Sequence, residues 1–256
     1  MGKTYCSSDW HGYWDIAKQI LDYLEPDDTL YFLGDAADRG PDGVKIIQAI
    51  IEDPRIKMIM GNHDEMMHDA IRYIDNNYSN FDCSLWAING GNSTYDALLN
   101  LTKEERNKIA LFIEHLPLTY FYNSLKGNII MEHAGYTPYS PYLKRHEPLW
   151  DRTHFDDDWP NKEDAKNVYI IHGHTPVQYL KFYYGCNGCP TLTKEEMEAK
   201  LLFKNNLPNE TWKPTILHYC DGHKIDLDMC TIDSGRIALL NLDTFEEIYF
   251  DRKEND

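Results

Sequence analysis

The stretch Gly34-Asp35-Ala36-Ala37-Asp38-Arg39-Gly40 decides how this chain is read. It follows Thr29 to Leu33, a short β-branched and aromatic run of the kind that forms a buried strand. It precedes Pro41, suited to a first helical turn, and the helical apolar face of Val44, Ile47, Ile50 and Ile51. Strand, polar turn and helix in that order are the beginning of a βαβ unit. Turn chemistry accounts for the glycines; it does not account for two carboxylates and a guanidinium between them.

The same punctuation recurs on either side. Lys3 to Ser7 is a strand candidate, followed by Asp9 and His11 and then by Ile16, Ala17, Ile20, Leu21 and Leu24 at helical spacing before Pro26. Two residues apart in extended backbone, Asp9 and His11 project to one side. Arg55 to Met60 is the third strand, and Gly61-Asn62-His63-Asp64 follows it. From Glu65 to Leu116 helical patterns dominate, with a capping box of Thr102 and Glu105, which reads as a helical layer or cap. Strands resume at Leu118 to Tyr122, Asn128 to Glu132 and Val168 to Ile171, then at Thr215 to Tyr219, Ile237 to Leu242 and Glu247 to Phe250. His133 stands after the strand ending at Glu132, and His174 after the one ending at Ile171. Five strand ends thus bring carboxylates, an amide and imidazoles to one edge, the carboxyl edge at which open α/β sheets bind ligands. Oxygen donors mixed with imidazole suit manganese, iron or zinc rather than calcium, and a shared carboxylate lets two ions sit together.

Composition bounds the partners. The chain has 256 residues, 42% of them hydrophobic, and a net charge of −17. That is enough apolar material for a packed core, and one domain over 1–256 with an insertion at about 178–212 is the expectation. The acidic balance repels polyphosphate backbones, which excludes a duplex nucleic-acid binder. No apolar run is long enough for a membrane span, and Met1 to Ser8 lacks the charged-then-apolar pattern of a leader, so cytoplasmic residence and reduced cysteines are expected.

Taken together, Asp9-Trp10-His11-Gly12, the Gly-Asp-x-x-Asp-Arg-Gly run at 34–40, Gly61-Asn62-His63-Asp64, His133-Ala134-Gly135 and Gly173-His174-Thr175 resemble the calcineurin-like metallophosphoesterases. The resemblance is to their phosphoprotein-phosphatase branch, whose bacterial members include serine/threonine phosphatases and symmetrical dinucleoside tetraphosphatases. It runs from about Tyr5 to Pro176 and again from about Thr215 to Phe250. Pro176 stands where nuclease and cyclic-nucleotide branches carry a second histidine. The resemblance implies a four-layer α/β/β/α sandwich with two divalent metals, manganese first and iron or zinc as alternatives. It makes Asp9, His11 and Asp35 ligands of one metal, and Asp35, Asn62, His133 and His174 ligands of the other. It implies that His63 is the general acid, that Asp38 orients it, and that Arg39 grips phosphate, with Arg152 in Leu149-Trp150-Asp151-Arg152 a looser second match. Three positions depart from the family pattern: Ser8 stands in place of glycine, Asp64 in place of glutamate, and His133-Ala134-Gly135 in place of the His-Gly-Gly common in eukaryotic relatives, which favours the bacterial branch.

The implied reaction is hydrolysis of a phosphomonoester by a metal-activated hydroxide, with phosphoserine or phosphothreonine in proteins, or a small phosphorylated molecule, as substrate. A symmetrical dinucleoside tetraphosphate hydrolase is the alternative, and a catalytically inactive metal-binding scaffold the third reading. Elsewhere, Cys186-Asn187-Gly188-Cys189 has the spacing of a zinc knuckle, with Cys220, His218, His223 and Cys230 as distant candidates, so a structural zinc and a plain reduced turn both stay open. His172 reads as a packing residue, and His68, His115, His146 and His154 have no motif around them. Asp156-Asp157-Asp158 reads as a solvated loop. Tyr136, Tyr139, Tyr142, Trp150 and Trp159 are either a stacking surface or rim packing. The segment from Gln178 to Trp212 leaves a ligand-bearing strand end, which places it at the rim as an element controlling access.

Overall fold

The structure is a computed structural model, and it describes residues 2–76, 81–135, 147–156, 167–186, 188–206 and 212–253. Its first half alternates strand and helix: β1 (Thr4–Ser7), α1 (Trp14–Tyr23), β2 (Thr29–Phe32), α2 (Gly43–Glu52), β3 (Ile56–Met58). Four helices follow, α3 (Asn62–Asn76), α4 (Cys83–Ile88), α5 (Asn92–Leu99) and α6 (Lys103–Glu114), the last opened by the expected Thr102–Glu105 capping box. Then come β4 (Thr119–Asn123), β5 (Asn128–Glu132), α7 (Glu147–Trp150), β6 (Val168–His172), α8 (Val177–Tyr179), a π-helical turn at Leu180–Tyr184 and α9 (Lys194–Lys204). The chain ends with β7 (Leu217–Tyr219), β8 (Lys224–Asp226), α10 (Thr231–Ser234), β9 (Arg236–Asn241) and β10 (Glu247–Asp251).

The strands form two five-stranded sheets, ordered β10-β9-β1-β2-β3 and β4-β5-β6-β8-β7. β1, β2 and β3 are parallel neighbours, as are β5, β6 and β8, while β9 pairs antiparallel with β1 and β10, β4 with β5, and β7 with β8. Period-two alternation sorts the first sheet into two faces. Tyr5, Leu30, Phe32, Ile237 and Leu239 join Ile16, Ile20, Ile47, Met67 and Ile113 in a helix-side core. Cys6, Tyr31, Leu33, Ala238 and Leu240 meet Ile129, Met131 and Ile171 of the second sheet in another. The result is the expected α/β architecture, two sheets flanked by helices. Among the described residues no helix is long and apolar enough to cross a membrane.

Three differences from the sequence reading have physical causes. β8 was not expected: Lys224 and Asp226 are fully buried, so its charge hides it from any hydrophobic pattern. Cys186 and Cys189 are joined as a disulfide, where reduced thiols were expected. The segment after Gln178 is more than a loop over the rim, because Leu180 and Phe182 are buried and Phe182 meets the rings of Phe203 and Trp212. It runs to the far edge of the second sheet, where Gly188 lies against the Cys220 backbone. Tyr136, Tyr139, Tyr142, Trp159, His146, Asp157 and Asp158 lie outside the described residues.

Candidate metal centre

Parallel strands end level with one another, so the residues after β1, β2, β3, β5 and β6 converge. The backbone beyond each end is held in an unusual conformation: Asp9, His11, Asp35, Asp38, Arg39 and His174 all have φ between 45° and 69°. Left-handed non-glycine residues are uncommon and costly, of order 1–3 kcal/mol each, and they persist where surroundings over-determine them. Here the chain is pinned by Asp9 N–H to Gly34 O (3.1 Å), His11 N–H to Asp35 O (3.0 Å) and Arg39 N–H to Gly90 O (2.9 Å).

Four candidate donor atoms cluster around one point. Asn62 Oδ1 lies 2.9 Å from His133 Nε2 and 2.9 Å from His174 Nδ1, and His133 Nε2 lies 3.4 Å from Asp35 Oδ2. Atoms bonded at about 2.1 Å to one cation at right or tetrahedral angles are separated by about 3.0–3.4 Å, so these spacings fit a common ion. On the other side of Asp35 Oδ2 stand His11 Nε2 and His63 Nε2, each at 3.9 Å, and His11 Nε2 lies 3.6 Å from Asp9 Oδ1. All of these side chains are buried. Asp9 Oδ1 has no hydrogen-bond partner among the described residues, a state a buried carboxylate oxygen tolerates poorly unless it is there to bind a cation. His11, Asp35 and His63 form one group of close donor atoms, and Asp35, His133 and His174 another. His63 thus stands beside the first group as well as Asp9.

The titration behaviour follows from this crowding. Burial alone would raise the Asp35 pKa, but His133, His63 and His11 together hold it well below the usual carboxylate range. Burial opposes charge on His133, yet Asp35, Asp9 and the Leu33 carbonyl lift its pKa to about 9. Both His133 nitrogens face oxygens, since Nδ1 donates to Leu33 O at 2.7 Å while Nε2 faces Asn62 and Asp35. His174 is lowered well below the ordinary histidine value by burial, with His133 and Arg152 adding to the effect. The candidate ligands are oriented from behind: His11 Nδ1 donates to Ala37 O at 3.1 Å, Ser8 Oγ donates to Asp9 Oδ2, and Thr231 Oγ1 donates to Asp9 O at 2.8 Å. The serine at position 8 therefore supports a ligand.

His63 Nδ1 donates to Asp38 Oδ2 at 2.7 Å. The same carboxylate oxygen accepts the indole N–H of Trp86 at 2.7 Å, and Asp38 N–H donates to Thr94 Oγ1 at 3.0 Å. Arg39 reaches between the two rings, with Nη1 2.5 Å from His11 Nε2 and Nη2 3.1 Å from His63 Nε2. Arg152 is placed at the opposite side by a 3.1 Å bond from Nε to Thr175 Oγ1, next to His174. Trp150 stands edge-on to His174 at 6.0 Å. Asp64 Oδ2 accepts the backbone N–H groups of Asp35 (2.8 Å) and Gly61 (2.9 Å), and Oδ1 that of Ala36 (3.2 Å), tying β2 to β3 under the site. Burial and the neighbouring Asp35 charge push the Asp64 pKa up to about 7. Asp9, His11, Asp35, Asp38, Arg39, Asn62, His63, His133 and His174 are brought together, with Arg152 beside them. Trp86, Thr94 and Thr231 were not foreseen, because nothing local in their sequence marks a residue whose partner is 48, 56 or 222 positions away.

Residues 2–208 match the family model described as calcineurin-like phosphoesterase. Serine/threonine-protein phosphatase 1 of Salmonella typhimurium is 29% identical over 159 residues, 59% of this chain and 67% of that protein. The asymmetrical bis(5'-nucleosyl)-tetraphosphatase PrpE of Bacillus velezensis is 26% identical over 200 residues, 67% of this chain and 76% of that one. A solved serine/threonine phosphatase from Saccharomyces cerevisiae, similar to human PP5, superposes with a TM-score of 0.52 at 14% identity. That superposition covers 100% of this chain and 81% of the yeast one.

Proposed function

Because this chain belongs to the calcineurin-like phosphoesterase family, a family of metal-dependent hydrolases, we propose that it is a dimetal phosphatase acting on phosphoserine and phosphothreonine in proteins. In this reading Asp9, His11 and Asp35 hold one divalent cation, and Asp35, Asn62, His133 and His174 hold the second. Two such cations, when bound, lower the pKa of a water toward neutrality and neutralise the charge of an in-line displacement. Arg39 and Arg152, on opposite sides of the cluster, bind phosphate oxygens as permanently charged, fork-shaped donors. His63 gives its proton to the departing oxygen, and Asp38, fixed by Trp86, sets the ring's tautomer and balances its charge.

The observation that carries the monoester reading is the 2.7 Å His63–Asp38 pair. A serine or threonine alkoxide is a very poor leaving group and needs a proton as it departs; a nucleoside polyphosphate leaves with far less help. The 200-residue match to PrpE favours a second reading, hydrolysis of a dinucleoside polyphosphate at a phosphoanhydride. A scaffold without catalysis fits poorly with a cluster in which all ten proposed residues are present. With added manganese, a phosphoserine peptide and diadenosine tetraphosphate assayed in parallel separate the readings. The first reading expects kcat/KM at least tenfold higher on the peptide; the reverse ratio selects the second, and turnover of neither substrate refutes both.

A further inference from the structure

Three cysteines and a histidine gather at the opposite edge of the second sheet. β8 runs parallel to β6 with Lys224 beside Ile170, so the β7–β8 turn, Cys220 to His223, sits level with the start of β6. His223 confirms that level: its N-terminal neighbourhood is closed by His223 N–H to Cys220 O (3.0 Å), and Ile170 N–H bonds to His223 O at 2.8 Å. At about 3.3 Å per residue, that edge is about 20 Å from His174. The segment leaving His174 crosses this distance and delivers Cys186 and Cys189 to the same turn.

The two turns that meet there share a pattern. Cys186-Asn187-Gly188-Cys189 and Cys220-Asp221-Gly222-His223 are each a sulfur residue, a polar residue, a glycine and a second ligand type. Both glycines have positive φ, 63° at Gly188 and 86° at Gly222. The turns are in contact: a β-carbon on Gly188 would stand 3.1 Å from Asp221 N and 3.2 Å from Cys220 N. Cys186 and Cys189 have Cα atoms 5.2 Å apart and sulfurs that meet, and with Cys220 they border the same apolar cluster. His223 donates from Nδ1 to Val168 O at 2.8 Å and stacks on Tyr169, which fixes the tautomer that leaves Nε2 as a lone-pair donor. A carbonyl on the far nitrogen is the usual support of a metal-binding histidine.

We propose that Cys186, Cys189, Cys220 and His223 form a structural zinc site of the Cys₃His type. Zinc binds the reduced chain as it folds: three thiols lose their protons to water, neutral His223 donates through Nε2, and no electrons are transferred. The disulfide is the competing fate of the first two cysteines and requires an oxidant. The ion pins the segment that follows the His174 strand to the β7–β8 turn, remote from the proposed phosphatase centre.

The test uses the full chain purified with a thiol reductant, stripped of metal by a chelator and reloaded with cobalt(II). Sulfur-to-cobalt charge transfer with strong tetrahedral visible bands is expected, because the carboxylate and imidazole centre has no thiolate to produce it. Cys186→Ser and Cys189→Ser should each weaken cobalt affinity by at least 100-fold, and His223→Ala by at least tenfold, while Asp35→Asn leaves the charge-transfer band intact. Zinc-loaded protein should protect three of the six cysteines from alkylation. Absence of the band in reduced wild-type protein overturns the proposal, and so does a band unaffected by Cys186→Ser. Protein whose Cys186 and Cys189 resist alkylation until reduced, with no zinc bound, assigns the pair to a disulfide instead. Should Cys220→Ser fail to fold, the half-buried Cys186 and Cys189 variants and the wild-type spectrum still decide the matter.

Discussion

Asp38→Asn isolates the proposed proton donor from the metals. Asp38 touches no proposed ligand atom; Oδ2 accepts from His63 Nδ1 and Trp86 Nε1, both at 2.7 Å in fully buried surroundings. Asparagine keeps the shape and one acceptor oxygen but removes the negative charge. A hydrogen bond to a charged group is worth about 1.5–3 kcal/mol. If that stabilisation is what keeps His63 protonated and aligned to donate, its loss lowers kcat by about 10- to 150-fold, at about 1.4 kcal/mol per decade. The loss should appear on a phosphoserine peptide. On an activated aryl phosphate, whose leaving group needs little protonation, it should be no more than about threefold. Metal content measured on the same samples should match wild type. Equal losses on both substrates with full metal occupancy would refute the role given to the pair, since a general acid cannot matter equally to good and poor leaving groups.

Asp64→Ala leaves three buried backbone N–H groups without their acceptor and should cost about 3 kcal/mol or more in urea unfolding of metal-free protein, with Asp64→Asn costing less. Gly90→Ala places a β-carbon 2.9 Å from Arg39 Cγ at a φ of 95°, so KM for phosphate esters should rise several-fold with a smaller change in kcat. Glu132, lifted by burial and by Asp151 from its ordinary 4.5 to about 7, holds a proton in the folded chain that the unfolded chain has already lost between those values. Stability measured in chelator should therefore decline as pH rises through that window, and Glu132→Gln should remove the decline, gaining at most about 3 kcal/mol at pH 8 and nothing near pH 4.

Much of this geometry is legible in the sequence because ligands follow strands. Asp9, Asp35, Asn62, His133 and His174 each sit within a few residues of an apolar run, and parallel pairing converts that one-dimensional regularity into a cluster. What escapes is what is held by tertiary contact. β8 is invisible because Lys224 and Asp226 are buried by a polar neighbourhood in which Tyr219 OH donates to His172 Nε2 at 2.7 Å and Lys224 Nζ donates to His154 O at 2.6 Å. Trp86 reads as one more apolar residue of a helix, yet its indole N–H anchors Asp38. Cys220 and His223 stand in the sequence only among four distant candidates for a related reason: Cys220 to His223 is a hairpin turn whose neighbour Gly188 arrives from 32 residues earlier, so only the fold sets the two together.

The measurement that bears most directly on the dimetal centre is an anomalous difference map from a crystal grown with manganese, recorded at the manganese edge. Two peaks about 3.5–4 Å apart are expected, one bordered by Asp9 and His11, the other by Asn62, His133 and His174, with the Asp35 carboxylate between them. A crystal of active enzyme with a single peak, or with peaks that do not share Asp35, would contradict the dimetal centre.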